Sequence, residues 1–205
     1  AWALPVNGNE MIQVTNSEKE SVFGISYFPN DERILFSSDK GGNEINHIYV
    51  QNTDQTIVDL TPAENAKSEF MGWARDQKGF FYGSNERDPM FFDLYHMDIA
   101  TFKAKMMYEN KDGLDVSAIS KDKRYIALVK SITTNNNEMY LHDLKTGKTK
   151  HISEHEGDAS YNPQFFDLSG EYFYFLTNEG AEFQYLVSYN LETGEKKKEW
   201  GTNWD

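Results

Sequence analysis

The chain repeats itself: a unit of about forty-six residues recurs four times with the same strand and turn punctuation. A period of that size built from short strands is the signature of a β-propeller blade. The second strands are expected to start at Ile34, Phe80, Tyr125 and Tyr172, spaced by 46, 45 and 47 residues. Tyr49, Tyr95, Tyr140 and Val187 on the third strands repeat those intervals, and so do the turn residues Asn52, Asp98, Asp143 and Asn190. Three landmarks in step name an all-β architecture of four-stranded antiparallel blades.

Within each unit the apolar residues alternate with a period of two and are bounded by Asn, Asp, Gly and Ser, the pattern of strands joined by tight turns. The first full unit reads Val22 to Phe28, a turn at Pro29 to Glu32, then Ile34 to Phe36, a polar loop, His47 to Val50, and Ile57 to Leu60. Blades are expected at about 21–61, 67–108, 114–153 and 159–200. Gly147 and Gly194 fall at the same offset in the turn between third and fourth strands, where a positive φ suits glycine. Trp2 to Val6 through Val14 and Thr15 match Ile48 through Thr61 at an offset of 46, which makes residues 1–15 the outer half of a further blade. Only Gly201 to Asp205 follow Trp200, too few for the two missing strands. The expectation is about four and a half blades with no visible means of closing, hence a piece of a larger propeller.

Composition narrows the partners. A formal charge of −13 and a pI near 4.8 argue against a phosphate-backbone partner, which draws on clustered Lys and Arg. The one basic run, Lys196 to Lys198, belongs to an expected outermost, solvated strand. Nucleic acid is therefore not an expected partner. The absence of cysteine removes disulfides, thiolate metal sites and cysteine nucleophiles together. No apolar run approaches the roughly 20 residues that span a bilayer as a helix. No membrane association is expected, and a cytoplasmic and a periplasmic setting stay equally open.

Candidate functional residues lie on the loops joining second to third strands, because a rigid scaffold positions loops for contact. These are read as 37–44, 83–90, 130–137 and 177–182. The second carries Asn85, Glu86, Arg87 and Asp88 ahead of Phe91 and Phe92, and these four are the candidate substrate- or partner-binding residues. Two readings of Arg87 stand: its forked donors take a carboxylate or peptide terminus, or they close a local salt-bridged turn. His151-Ile152-Ser153-Glu154-His155 matches the H-x-x-E-H zinc pattern, whose chemistry needs a helix. The repeat places His151 on a strand and His155 in the next loop, so no metal is expected there. His47, His96 and His142 flank third strands, as strand ends rather than ligands. No Gly-x-Ser-x-Gly elbow, Walker A loop, dinucleotide fingerprint or EF-hand loop occurs, and no cofactor or catalytic residue is expected.

Ser38 to Glu44 leading into Ile48-Tyr49-Val50, and Leu141 to Lys148, resemble the TolB-like propeller blade. Ser84 to Pro89 running into Phe91 to Tyr95, with Trp2 to Gly8 at the start, is most similar to the amino-terminal propeller of the prolyl oligopeptidase family of serine peptidases. That resemblance implies a seven- or eight-bladed propeller covering a carboxy-terminal α/β-hydrolase domain and restricting which peptides reach its triad. The chain departs from it in having too few blades and no position matching the triad. The implied role is the non-catalytic part of a serine exo- or oligopeptidase, meeting peptide substrate, with the hydrolase domain and remaining blades as partners. The rival reading is a TolB-like protein- or peptide-binding module with no attached enzyme. A propeller lyase with a metal on its axis is a third reading, but it needs inward histidines that the first strands lack.

Overall fold

The computed structural model describes residues 2–4, 6–8 and 10–202. Pro5 of the expected opening strand and Asn203 to Asp205 of the expected tail lie outside the described residues. Every regular element described is a strand. The chain divides into two compact units, Ala1–Glu109 and Asn110–Asp205.

The first unit opens with a two-stranded ribbon, β1 (Trp2–Ala3) and β2 (Ile12–Gln13). Two four-stranded sheets follow: β3 (Val22–Tyr27), β4 (Ile34–Ser38), β5 (His47–Gln51) and β6 (Ile57–Asp59), then β7 (Ser68–Trp73), β8 (Gly79–Asp88), β9 (Phe91–Asp98) and β10 (Ala104–Tyr108). The second unit holds β11 (Asp115–Ile119), β12 (Tyr125–Thr133), β13 (Asn136–Asp143) and β14 (Lys148–His151), then β15 (Tyr161–Phe166), β16 (Tyr172–Thr177), β17 (Tyr185–Asn190) and β18 (Lys196–Gly201). In all four full sheets the strands lie side by side in chain order and run antiparallel, the meander of a propeller blade.

The repeat extends to fine structure. An aspartate opens each turn from first to second strand: Asp31, Asp76, Asp122 and Asp167 accept backbone N–H bonds from Arg33, Lys78, Arg124 and Gly170. Such Asx turns bend the chain without secondary-structure bonds. Each first strand then carries a register shift against its neighbour, at Gly24/Ser26, Phe70/Gly72, Val116/Ala118 and Pro163/Phe165. A bulge raises local twist, so the first strand of every blade bends at the corresponding position along its length. At the other end, the side chains of Asp39, Asn85 and Asn178 accept the N–H of Ser21, Lys67 and Ser160, tying the second strand's exit to the first strand's entry.

The cores lie between sheets. In the first unit Phe28, Leu35, Ile48, Val50 and Leu60 pack on Phe80, Tyr82 and Met97. Arg33 staples the same interface: its Nη1 donates to the Ile99 carbonyl at 3.3 Å, and its guanidinium lies over the rings of Phe28 and Phe102. In the second unit Met139, Leu141 and Ile152 meet Tyr161, Phe166, Phe173, Phe175, Val187 and Tyr189. The outer strand β18 is exposed along its whole length, as the lysine run requires; lysine on an edge also discourages pairing with another chain.

Two of the expected loops are strands. β8 runs on to Asp88 and β12 to Thr133, so most of 83–90 and 130–137 belongs to extended hairpins instead of loops. The hydrophobic alternation stops where each hairpin rises past the core, but the backbone ladder does not.

Candidate hairpin site and family membership

The four candidate residues sit at the tip of the β8–β9 hairpin, where Asp88 pairs with Phe91 across the Pro89–Met90 corner. Asp88 Oδ1 accepts the Met90 N–H at 2.9 Å and closes that corner. Asn85 Oδ1 accepts the Lys67 N–H at 2.7 Å while its Nδ2 donates to the Pro89 carbonyl at 3.3 Å, which makes it a brace between tip and sheet. Glu86 is exposed, and its N–H is held by Ser84 Oγ.

Arg87 turns inward. Its Nε and Nη2 donate to the two carboxylate oxygens of Asp93 at 2.7 and 2.9 Å, and Glu109 lies 3.7 Å from the same Nε. Asp93 is fully buried, whereas the Arg87 side chain is 29% exposed. The fork-on-carboxylate geometry is the strong form of the bond. Bonding to Asp93 also raises the guanidinium's pKa above its ordinary value, so it stays charged. The local salt bridge of the second reading is present, with Asp93 as its partner. Its partner Asp93 was not among the sequence candidates, and the only signal for it was an acid on the far side of a tight corner.

Phe91 and Phe92 are half-buried. Below them Tyr82 and Tyr95 stack with ring centroids 5.2 Å apart. Burial, reinforced by carboxylates that include Glu86, pushes both phenols above their ordinary range.

The histidines are engaged within the fold. β14 ends at His151, and His155 lies in the loop beyond, with Nδ1 2.6 Å from the Ser153 carbonyl and Nε2 3.0 Å from Asn136 Oδ1. His47 Nδ1 meets Asp59 Oδ2 at 2.8 Å, and His142 Nδ1 meets Thr149 Oγ1 at 2.8 Å. Among the described residues no three of His, Asp and Glu are arranged to hold a metal ion.

The family model for the prolyl oligopeptidase N-terminal β-propeller domain matches residues 15–204. The chain belongs to that family. A prolyl endopeptidase of Elizabethkingia meningoseptica is 25% identical over 195 residues, covering 84% of this chain and 26% of the relative. The chain thus spans about a quarter of the length of that peptidase. Among solved structures, a prolyl endopeptidase superposes with a TM-score of 0.63 at 16% identity, covering 90% of this chain and 29% of the other. TolB from Acinetobacter baumannii gives 0.56 at 19% identity, covering 91% and 45%. These likenesses establish the fold: a prolyl oligopeptidase-family propeller whose blades share the TolB architecture.

Proposed function

We propose that this propeller is the non-catalytic portion of a serine exo- or oligopeptidase, where it contacts peptide substrate and limits its admission. The observation that carries the reading is the family match across residues 15–204, on a chain whose sequence holds no Gly-x-Ser-x-Gly elbow. Function on a propeller belongs to the loops and hairpins at the blade ends. The β8–β9 hairpin, with Asn85, Glu86, Arg87 and Asp88, is the proposed point of contact. With the Arg87 fork engaged by Asp93, the hairpin offers its exposed Glu86 carboxylate and the Met90 corner to a peptide.

The test uses the 205-residue chain with proline-containing chromogenic peptides. No turnover is expected, while 15N-labelled Glu86 and Met90 shift on titration with an uncleavable peptide. Turnover that a serine-directed phosphonate abolishes would overturn the non-catalytic reading. Shifts confined to residues remote from the hairpin would overturn the contact. The TolB-like alternative predicts a stoichiometric protein partner and no response to short peptides.

A further inference from the structure

Between β14 and β15 the second unit makes one exposed excursion. Ser153 and Ala159 at its two ends are buried, but Glu154, Glu156, Gly157 and Asp158 between them are exposed. Both ends are tied to β13. The Ser153 hydroxyl accepts the Met139 N–H, and the Ala159 carbonyl accepts the Asn137 N–H at 3.1 Å. The Asn137 side chain also clasps the Tyr161 backbone, accepting its N–H at 2.7 Å and donating to its carbonyl at 2.9 Å. Gly157 turns the excursion at a φ of +77°. Of the described residues 154–158, only His155 bonds back to the sheets. Its Nε2 lies 3.0 Å from Asn136 Oδ1 on β13, and its ring centroid is 5.3 Å from that of Tyr161 on β15.

This imidazole faces oxygen on both sides. Nδ1 stands 2.6 Å from the Ser153 carbonyl, which accepts and cannot donate, so Nδ1 carries a hydrogen. Nε2 meets a second oxygen in Asn136 Oδ1. An imidazolium satisfies both with charge-assisted bonds, which are roughly twice as strong as neutral ones. A neutral ring has no hydrogen left for Asn136 and holds it only through the weaker bond of a reversed amide. The titratable groups about the ring are Glu154, Glu156 and Asp158 of its own loop, Glu138 of β13, His151 of β14, Tyr161 of β15 and Glu179 beyond it. The Glu138 carboxylate is taken by the Tyr140 hydroxyl, and His151 Nε2 lies 3.2 Å from Ser153 Oγ. Burial, reinforced by Glu179, raises the Tyr161 phenol above its ordinary range, so that it stays neutral.

We propose that His155 is a proton-operated pin for the acidic loop 154–158. As an imidazolium it fastens the loop to the β12–β13 hairpin; on losing the Nε2 hydrogen it lets the loop swing on Gly157. The loop is closed in acid and opens towards neutral pH. A segment joining the fourth strand of one blade to the first of the next lies at the blade end that carries the hairpins, so its opening changes what that end presents. These bonds lie inside the second unit and are independent of the peptidase reading, which stands if the pin fails.

The test follows the 205-residue chain by NMR from about pH 8 to pH 5, both intact and as His151→Gln, which removes the neighbouring imidazole. Amide exchange of residues 154–158, corrected for the intrinsic pH dependence of exchange, should slow on the order of tenfold as His155 takes up its second proton. His155→Phe keeps a ring against Tyr161 but donates to neither oxygen, and should leave the loop exchanging fast at every pH. Asn136→Asp sets a carboxylate against Nε2 and should carry the slow form to higher pH. Because it strengthens the pin, that variant gives the reading even where His155→Phe is too unstable to measure. Loop exchange that ignores the His155 titration, or that keeps its pH dependence in His155→Phe, would overturn the proposal. So would a midpoint unmoved by Asn136→Asp, or nitrogen shifts placing the hydrogen of the neutral ring on Nε2.

Discussion

Arg87 and Asp93 face each other across a hairpin corner, the guanidinium's Nε and Nη2 at 2.7 and 2.9 Å from a carboxylate with no exposed surface. A buried carboxylate stripped of its counter-charge is far worse off than an exposed one. In a double-mutant cycle with Arg87→Ala and Asp93→Asn, the coupling should be at least about twice that of the exposed pair Lys197–Glu199. Equal couplings, read from urea unfolding, would mean that the hairpin does not depend on this bond.

Ser153 Oγ accepts the Met139 N–H at 2.6 Å, and both residues are fully buried. Ser153→Ala leaves that donor unsatisfied without changing the fold's shape. The expected loss is about 1–3 kcal/mol. Denaturant midpoints measure it; a change within error would require another acceptor to have moved in.

Gly147 holds a φ of +70° with open space where a Cβ would sit, while Gln77 holds a φ of +57° without glycine's freedom. The left-handed region is unfavourable for a residue with a Cβ by roughly 1–2 kcal/mol. Gly147→Ala should therefore destabilise by about 1 kcal/mol or more, and Gln77→Gly should be neutral to stabilising by up to about 1 kcal/mol. Shifts of the same sign for both, followed by thermal melts, would contradict a purely conformational origin.

Burial lowers the pKa of His142 below the usual 6.5, against the weaker pull of Asp143. The native ring stays neutral where the unfolded one takes a proton. Its contribution is then complete above pH 6.5 and is lost as pH falls below that value towards the native pKa. The imidazole proton shift in NMR should titrate below 6.5, and His142→Gln should flatten stability between about pH 7 and 5. A midpoint above 6.5 would reverse the sign and refute the burial argument.

The blades were legible in the sequence because each turn uses chemistry that recurs in step. The turns opened by Asp31, Asp76, Asp122 and Asp167, and those closed by Gly147 and Gly194, are all local devices. The hairpin tips were misread because Ser84 to Asp88 and Thr133 to Asn137 lack apolar alternation. Their strands are held by backbone pairing, which side-chain pattern does not record. The direction taken by Arg87 depends on Asp93 being buried beneath it, a tertiary fact. Likewise Phe102 adopts a φ of +52° where the third and fourth blades have glycine, its ring lying under Arg33 of the neighbouring sheet. Packing there overrides local preference.

Because every sheet pairs its strands in the order of synthesis, each blade finds all its ladder partners within some forty-five residues of chain. Closing such short loops is entropically undemanding, and contacts of low sequence separation form early. A blade can thus assemble as it leaves the ribosome, its ladder complete before the strands of the next one have been made.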